Sequence, residues 1–527
     1  MSNSFGASTA AQSNPRQQAF TAGPTVPQVV NKTLTAYGDL YNGTWQSENV
    51  VAGGGHDVVY GNDGMDYLDG GNGNDSLYGG TGHDALRGGV GNDYLSGGSG
   101  NDDLQDAGTA GADTLEGGEG NDEYTVDVAD TVIEAIVGGG VDRITLRVSG
   151  AANYTMADGV EFLQTSALTD IGGQVLLGNG LANGIAAGAG NDSVYGMDGD
   201  DGLFGEAGND YLHGGQGNDW LEGGAGTDTM EGSIGDDIYI VEQSTDVVVE
   251  YAAAGTDEVR TNLSVHKLAA NVENLSYWGG AGFTGQGNDL ANKVTGGAMG
   301  DHLAGIGGND VLDGRGGADL LNGGAGADSL NGGSGDDTVS GGTENDTVLG
   351  GDGNDSVYGD GGNDLLVGDW GSDVLMGNVG NDTLSGGGDA DRLYGGTGAD
   401  SISGGDGDDH IDGGAGRDQL TGGMGVDMFV WLSTTDSTDA ARDTVHSFES
   451  NDFVDLRSID ADTTKDGDQW FNFVAGGKPF FTSAGDLWLE TIRGGVALRG
   501  DVNGDGVADI GINFVGYYTP TQADILL

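Results

Sequence analysis

The sequence predicts an all-β protein wound as a parallel β-roll solenoid, and three observations predict it. From Gly296 to Val430 a nine-residue unit repeats without a break, with an Asp at its sixth place each time. Two places after each Asp stands an apolar residue, from Leu303 and Leu312 through to Leu420 and Phe429. The chain also carries 110 Gly, and they follow a period of nine rather than the period of three of a collagen. In the unit Gly-Gly-x-Gly-x-Asp-x-U-x, where U is apolar, the glycines allow a half-turn that other residues enter only at a cost. The x-U-x that follows is a minimal strand with its one apolar side chain facing inward. Two units make a coil of strand, turn, strand and turn, and stacked coils bury a narrow file of Leu, Ile and Val between two parallel sheets.

Stacking sets each Asp-bearing turn over the equivalent turn of the next coil, ~4.8 Å away. Carbonyl and carboxylate oxygens line that gap, which suits a hard cation. Ca²⁺, taking six to eight oxygens at ~2.3–2.6 Å, is the natural fit. The candidate ligands of the long block are Asp301, Asp310, Asp319, Asp328, Asp337, Asp346, Asp355, Asp364, Asp373, Asp382, Asp391, Asp400, Asp409, Asp418 and Asp427. A first block supplies Asp57, Asp66, Asp75, Asp84, Asp93, Asp102, Asp113 and Asp122, and a second Asp192, Asp201, Asp210, Asp219, Asp228 and Asp237.

This nonapeptide resembles that of the repeats-in-toxin (RTX) family. The resemblance implies a calcium-binding parallel β-roll that folds when it takes up the metal, and release from a bacterium by type I secretion.

The domain organisation follows from the repeat blocks. Residues 1–51 read as an N-terminal flexible segment followed by a cap or assembly strand. Residues 52–124 form the first roll, 125–186 a β-rich spacer, 187–239 the second roll, 240–295 a second spacer and 296–430 the third roll. The spacers align with one another at Tyr124/Tyr239, Glu134/Glu250 and Asp142/Asp257. Their alternating Val, Ile, Thr and Leu predict wider coils of the same solenoid. Each leads into a degenerate turn where Asn183 or Asn292 replaces the Asp, and whether calcium occupies those turns stays open. Tyr124, Tyr239 and Phe429 fill the inward slot at the end of the three rolls, and read as plugs closing the apolar file.

Residues 431–527 change character, with aromatics clustering at Trp431, Phe448, Phe453, Trp470, Phe471, Phe473, Phe480, Phe481, Trp488, Phe514, Tyr517 and Tyr518. The stretches ARDTVHSFESNDFVDLRSIDA, GDVNGDGVADIGINFVG and the ending ADILL resemble the serralysin-type C-terminal domain that caps the rolls of secreted metalloproteases. That resemblance implies an uncleaved secretion signal in Asp524, Ile525, Leu526 and Leu527. Within the segment, Asp501, Asn503, Asp505 and Asp509 occupy places one, three, five and nine of a calcium loop of EF-hand type, with Gly506 at six. Ile512 stands where the bidentate Glu belongs, so a calcium site and a plain hairpin turn are both open.

Charge and composition narrow the function. Formal net charge is −67, from 84 acidic against 17 basic residues. Phosphate would be repelled, which excludes nucleic acid as a partner, and a chain this acidic needs counter-cations to stay compact. If about 25 turns each hold one Ca²⁺, roughly 50 charges are cancelled and about −17 remains, ordinary for this size. No Cys is present, so calcium takes the cross-linking part that disulfides play in many secreted proteins. No apolar run reaches the ~20 residues of a membrane span, and residues 1–20 lack the apolar core of a cleaved signal peptide.

A catalytic centre is not legible. There is no His-Glu-x-x-His, and His56, His83, His213, His266, His302, His410 and His446 are dispersed. Gly-x-Ser-x-Gly is absent too. The expectation is a non-enzymatic, calcium-binding structural protein, exported by a type I ABC machinery to the outside or surface of a Gram-negative bacterium. There it assembles with itself into a layer, filament or matrix, with cell-surface polysaccharide as a further candidate partner and no insertion into membranes. The alternatives are a secreted adhesin or effector, and an accessory module of a polysaccharide-modifying enzyme.

Overall fold

The computed structural model describes residues 30–106, 111–135, 138–148, 150–166, 172–438, 440–465, 469–474, 483–516 and 518–527. The flexible segment expected over 1–27, and Phe480, Phe481 and Tyr517 of the aromatic cluster, lie outside them. The described residues form an all-β parallel solenoid with no α-helix among them. Two compact units divide it, Met1–Arg143 and Ile144–Leu527.

In the first unit two sheets run side by side, each taking every other strand. One begins with Val30–Thr33 paired parallel to Glu48–Val51 and continues through Tyr67–Asn72, Ala85–Val90, Asp103–Gln105 and Glu123–Val126. The other holds six strands, from Leu40–Asn42 to Thr131–Ile133. Register is set by the repeat: Leu68 pairs with Leu86 and Leu86 with Leu104, eighteen residues apart, while Leu77 pairs with Leu95 across the core. All five leucines are buried. The segment 30–51, expected to be a cap or assembly strand, is thus already wound in register as a coil of this solenoid. Asp39 stands in phase there and donates its N–H to Asp57 Oδ1 at 2.6 Å, but Glu48 takes the place of the next repeat Asp and breaks the run in the sequence.

The second unit is built the same way over a longer run. Its first sheet passes through Ile238–Val241, Glu258–Thr261, Asn274–Tyr277 and Lys293–Thr295 without interruption. The facing strands fall into two sheets, one of six strands ending at Val247–Val249 and one of twelve starting at Val265–Lys267. The spacer is therefore a set of wider coils in which one face stays continuous and the other restarts. Tyr239 does not close the apolar file: it pairs with Val259, and Val259 with Leu275. Phe429 likewise passes the file on to Val454. A side chain that is bulky and inward-facing fills a wide coil as readily as it ends a narrow one, which is why the plug reading fails at Tyr239 and Phe429.

The C-terminal segment continues both faces. Gln419–Met424 pairs parallel to Thr444–His446, which pairs with Ile510–Val515. Asp486–Ile492, Gly495–Asp501 and Ile510–Val515 form the antiparallel part of the unit. On the other face Phe453–Asp455 pairs with Ile525–Leu526, and Ile525 is buried.

Candidate metal centre

The repeated turn is the candidate site, and its geometry starts from two glycines. In the unit beginning at Gly70, Gly71 has φ 93° and Gly73 φ 140°, a region where side chains are strained. These turns fold the carboxylate of Asp75 back under its own coil. Its Oδ1 accepts the N–H of Asp57, one coil earlier, at 2.8 Å, while the Asp75 N–H donates to Asp93 Oδ1 at 2.8 Å. The same ladder links Asp66, Asp84 and Asp102 on the opposite side, and Asp319, Asp337 and Asp355 in the long block.

One oxygen of each carboxylate is thereby accounted for, and the other is not. Setting Asp113, Asp192 and Asp301 aside, the Oδ2 of every sixth-place Asp is buried with no hydrogen-bond partner among the described residues. A side-chain atom placed on Gly70 would fall 2.6 Å from Asp75 Oδ2 and 2.7 Å from the Gly88 carbonyl oxygen of the next coil. The turn thus encloses a cradle the size of one atom, walled by a carboxylate and a carbonyl, and the same pair meets at Gly61, Gly79, Gly97 and Gly332. A buried carboxylate oxygen without a donor costs several kcal/mol, and a divalent cation in the cradle removes that cost. Ca²⁺, which takes oxygen ligands only, fits this donor set.

Electrostatics agree. Loss of water on burial pushes the Asp84 and Asp337 carboxyls up to about 7 and Asp237 to about 8. The backbone N–H that each receives pulls the other way and does not compensate, and stacked aspartates add to the rise.

Not every sequence-predicted residue has this geometry. Asp301 spends both oxygens on protein donors, the N–H groups of Phe283 and Gly297. Asp113 stands in a trio with Asp106 and Asp130. At the degenerate turns the amides satisfy themselves. Asn183 Oδ1 accepts the Asn179 N–H and its Nδ2 donates to Val160 O, while Asn292 Oδ1 accepts from Asn288 and its Nδ2 donates to Val272 and Glu273 carbonyls. There an amide N–H₂ does by hydrogen bonding what a cation does elsewhere. In the loop from Asp501 to Asp509 the carboxylates accept local N–H groups: Asp501 from Gly504 and Gly506, Asp505 from Val507, Asp509 from Val502. The loop joins two antiparallel strands.

Some residues were missed. Glu48 is buried, its N–H donates to Asp66 Oδ1 at 2.7 Å, and its Oε2 has no partner among the described residues. Asp443 and Asp452 extend the ladder into the C-terminal segment by accepting the N–H groups of Asp418 and Asp427. Trp431 Nε1 takes the second oxygen of Asp443 at 2.7 Å, so the indole closes that end of the ladder.

Two variants test the cradle. Gly70 has no positive φ, so its backbone angles suit Ala, but a Cβ there would press on Asp75 Oδ2 and the Gly88 carbonyl. Gly70→Ala is expected to cost one bound ion per chain and to lower stability locally. Asp337→Ala is expected to cost one or two ions and ~1–3 kcal/mol of stability. Melting unchanged at limiting calcium would contradict the sharing of Asp337 between coils.

The profile of the RTX calcium-binding nonapeptide repeat (4 copies) matches residues 42–77, 69–104, 107–127, 177–212, 204–239, 295–330, 331–366, 367–402 and 394–429, more than half of the chain. Among curated proteins no relative matches. Among solved structures, the chain is similar to the solution structure of the AlgE6R3 subunit from the Azotobacter vinelandii mannuronan C5-epimerase. That likeness has 24% identity over 30% of this chain and 80% of that one, at a TM-score of 0.22. The matched spans cover all three repeat blocks and more than half of the sequence: the chain belongs to the family of proteins built on RTX calcium-binding nonapeptide repeats.

Proposed function

We propose that this protein is a secreted, non-catalytic structural protein that folds on meeting extracellular calcium and then assembles with itself into a surface layer, filament or matrix. The observation that carries the reading is the ladder itself. Most of the described chain is scaffold whose buried carboxylates need a cation, so rigidity is conditional on calcium. Cytosolic calcium is too scarce for sites of the ~10⁻⁴–10⁻³ M class, so the chain stays unfolded for passage through a type I ABC exporter and stiffens outside. No helix among the described residues is long and apolar enough to cross a membrane.

Electron microscopy of the purified chain tests the proposal. Millimolar Ca²⁺ is expected to give ordered high-mass assemblies, and chelation to dissolve them; a chain that stays monomeric at every calcium concentration overturns it.

A second reading, a secreted adhesin, is favoured by aromatic side chains held out in solvent. Trp278, Trp370 and Trp470 are 54%, 70% and 82% exposed, and such rings stack on apolar faces of ligands such as sugars. Calcium-dependent binding to immobilised glycans by a monomer would select this reading.

A further inference from the structure

The first two roll blocks each end beside a carboxylate cluster that the nonapeptide by itself cannot build. In the first unit Asp122, Glu134 and Asp142, and in the second Asp237, Glu250 and Asp257, each offer an oxygen lying within 4.8 Å of the other two. All six residues are buried. The ladder bond is kept, with Asp122 N–H donating to Asp142 Oδ1 at 2.7 Å and Asp237 N–H to Asp257 Oδ1 at 2.9 Å. The Oδ2 atoms of Asp122, Asp237 and Asp257 have no hydrogen-bond partner among the described residues, and these three side chains are no more than 1% exposed.

The glutamate is what differs from an ordinary turn. A side-chain atom on Gly117 would meet Asp122 Oδ2, the Tyr124 hydroxyl and, at 2.7 Å, Glu134 Oε2. At Gly70 the corresponding wall is the carbonyl of Gly88. Beside Gly117, therefore, a second carboxylate and a tyrosine hydroxyl stand with Asp122. Each glutamate is fixed at both oxygens, Glu134 by the Tyr124 hydroxyl and the Ala135 N–H (2.6 Å) and Glu250 by the Tyr239 hydroxyl and the Tyr251 N–H (2.9 Å), and Tyr239 itself receives the Gly232 N–H at 2.7 Å. The second lone pair of a glutamate oxygen stays available to an ion, and the oxygens wholly without donors among the described residues are those aspartate Oδ2 atoms. The arrangement recurs in both units, and coordination at ~2.4 Å by oxygens on opposite sides of one Ca²⁺ spans about 4.8 Å.

We propose that Asp122, Glu134 and Asp142, and separately Asp237, Glu250 and Asp257, each hold one hard divalent cation of the Ca²⁺ class more tightly than the repeat turns do. Affinity in oxygen-ligand sites rises with the number of charged ligands. Three carboxylates around one ion leave the set at −1, so the ion is bound before those of the turns. Tyr124 and Tyr239 are positioning residues that fix the glutamates. The inference rests on calcium binding and not on assembly, so ion counting and microscopy can fail independently.

The test is elemental analysis of calcium retained by the full chain across a series of buffered free-calcium concentrations. The wild type is expected to keep tight ions at free calcium about tenfold or more below that which empties the turns. Glu134→Gln/Glu250→Gln, which retains an oxygen toward each tyrosine, is expected to lower the count of tight ions by two and leave the weak class unchanged. Identical retention curves for wild type and variant overturn the proposal. Should that variant fail to fold in saturating calcium, Tyr124→Phe/Tyr239→Phe decides through Tb³⁺ emission excited at the tyrosine band. The first two equivalents are expected to be several-fold dimmer than in the wild type, and equal emission overturns the assignment.

Discussion

In a metal chelator at neutral pH and low ionic strength, this chain is expected to lose its β-sheet signal in far-ultraviolet circular dichroism, and to regain it when calcium is restored. The apolar side of the fold is thin, because one inward residue in nine is all the repeat supplies. Against it stand buried carboxylate oxygens without donors along both sides of each coil stack, each costing several kcal/mol when ionised and unpaired. A net charge of −67 adds repulsion that compaction only worsens. Unfolded, a chain of 527 residues expands to a radius of gyration of roughly 85 Å, so small-angle scattering reads the same transition independently. Full β-content in chelator would remove calcium from the explanation of the fold, and the assembly reading would go with it.

How much of this was visible in the sequence depends on register. Asp66, Asp84 and Leu77 are legible because a period of nine holds carboxylate and apolar residue in phase, and the stacking that follows needs no further information. The spacers defeat that logic. Glu134 and Glu250 align between the two spacers, but ten and eleven residues separate them from the tyrosines they touch, and only the path of a wide coil brings them together. Asp443 and Asp452 lie twenty-five residues beyond their ladder partners rather than eighteen, so no periodic search reaches them. Glu48 is in phase but of the wrong residue type. At Asn183 and Asn292 the sequence left metal open because a neutral amide still offers one oxygen, more weakly than a carboxylate; the carbonyls of Val160 and Val272 facing it take the amide's N–H instead.

Acid is expected to act on the metal-free and calcium-loaded chains with opposite signs. Burial raises the folded-state carboxyls of Asp84, Asp337 and Asp391 to about 7 and Asp237 to about 8, and pushes Asp418 up beside Asp443; in an unfolded chain an Asp titrates near ~3.9. Between those values the folded state binds more protons than the unfolded one, so stability falls as pH rises through the folded range. That contribution is complete only below ~4 and is lost by about pH 8. The metal-free chain, in metal-stripped buffer, should therefore recover β-structure as pH is lowered from 8 toward 5, with a midpoint near 6–7. An uncharged carboxyl, unlike a carboxylate, can sit in the cradle beside a carbonyl and donate to it. With calcium bound the order reverses, because protons compete with the ion for the same oxygens: melting temperature should drop over the same interval. Sedimentation alongside the dichroism separates refolding from precipitation as the net charge shrinks. A metal-free chain that stays unstructured at every pH would mean that neutralising the carboxylates is insufficient, and that the cation contributes by joining one coil to the next.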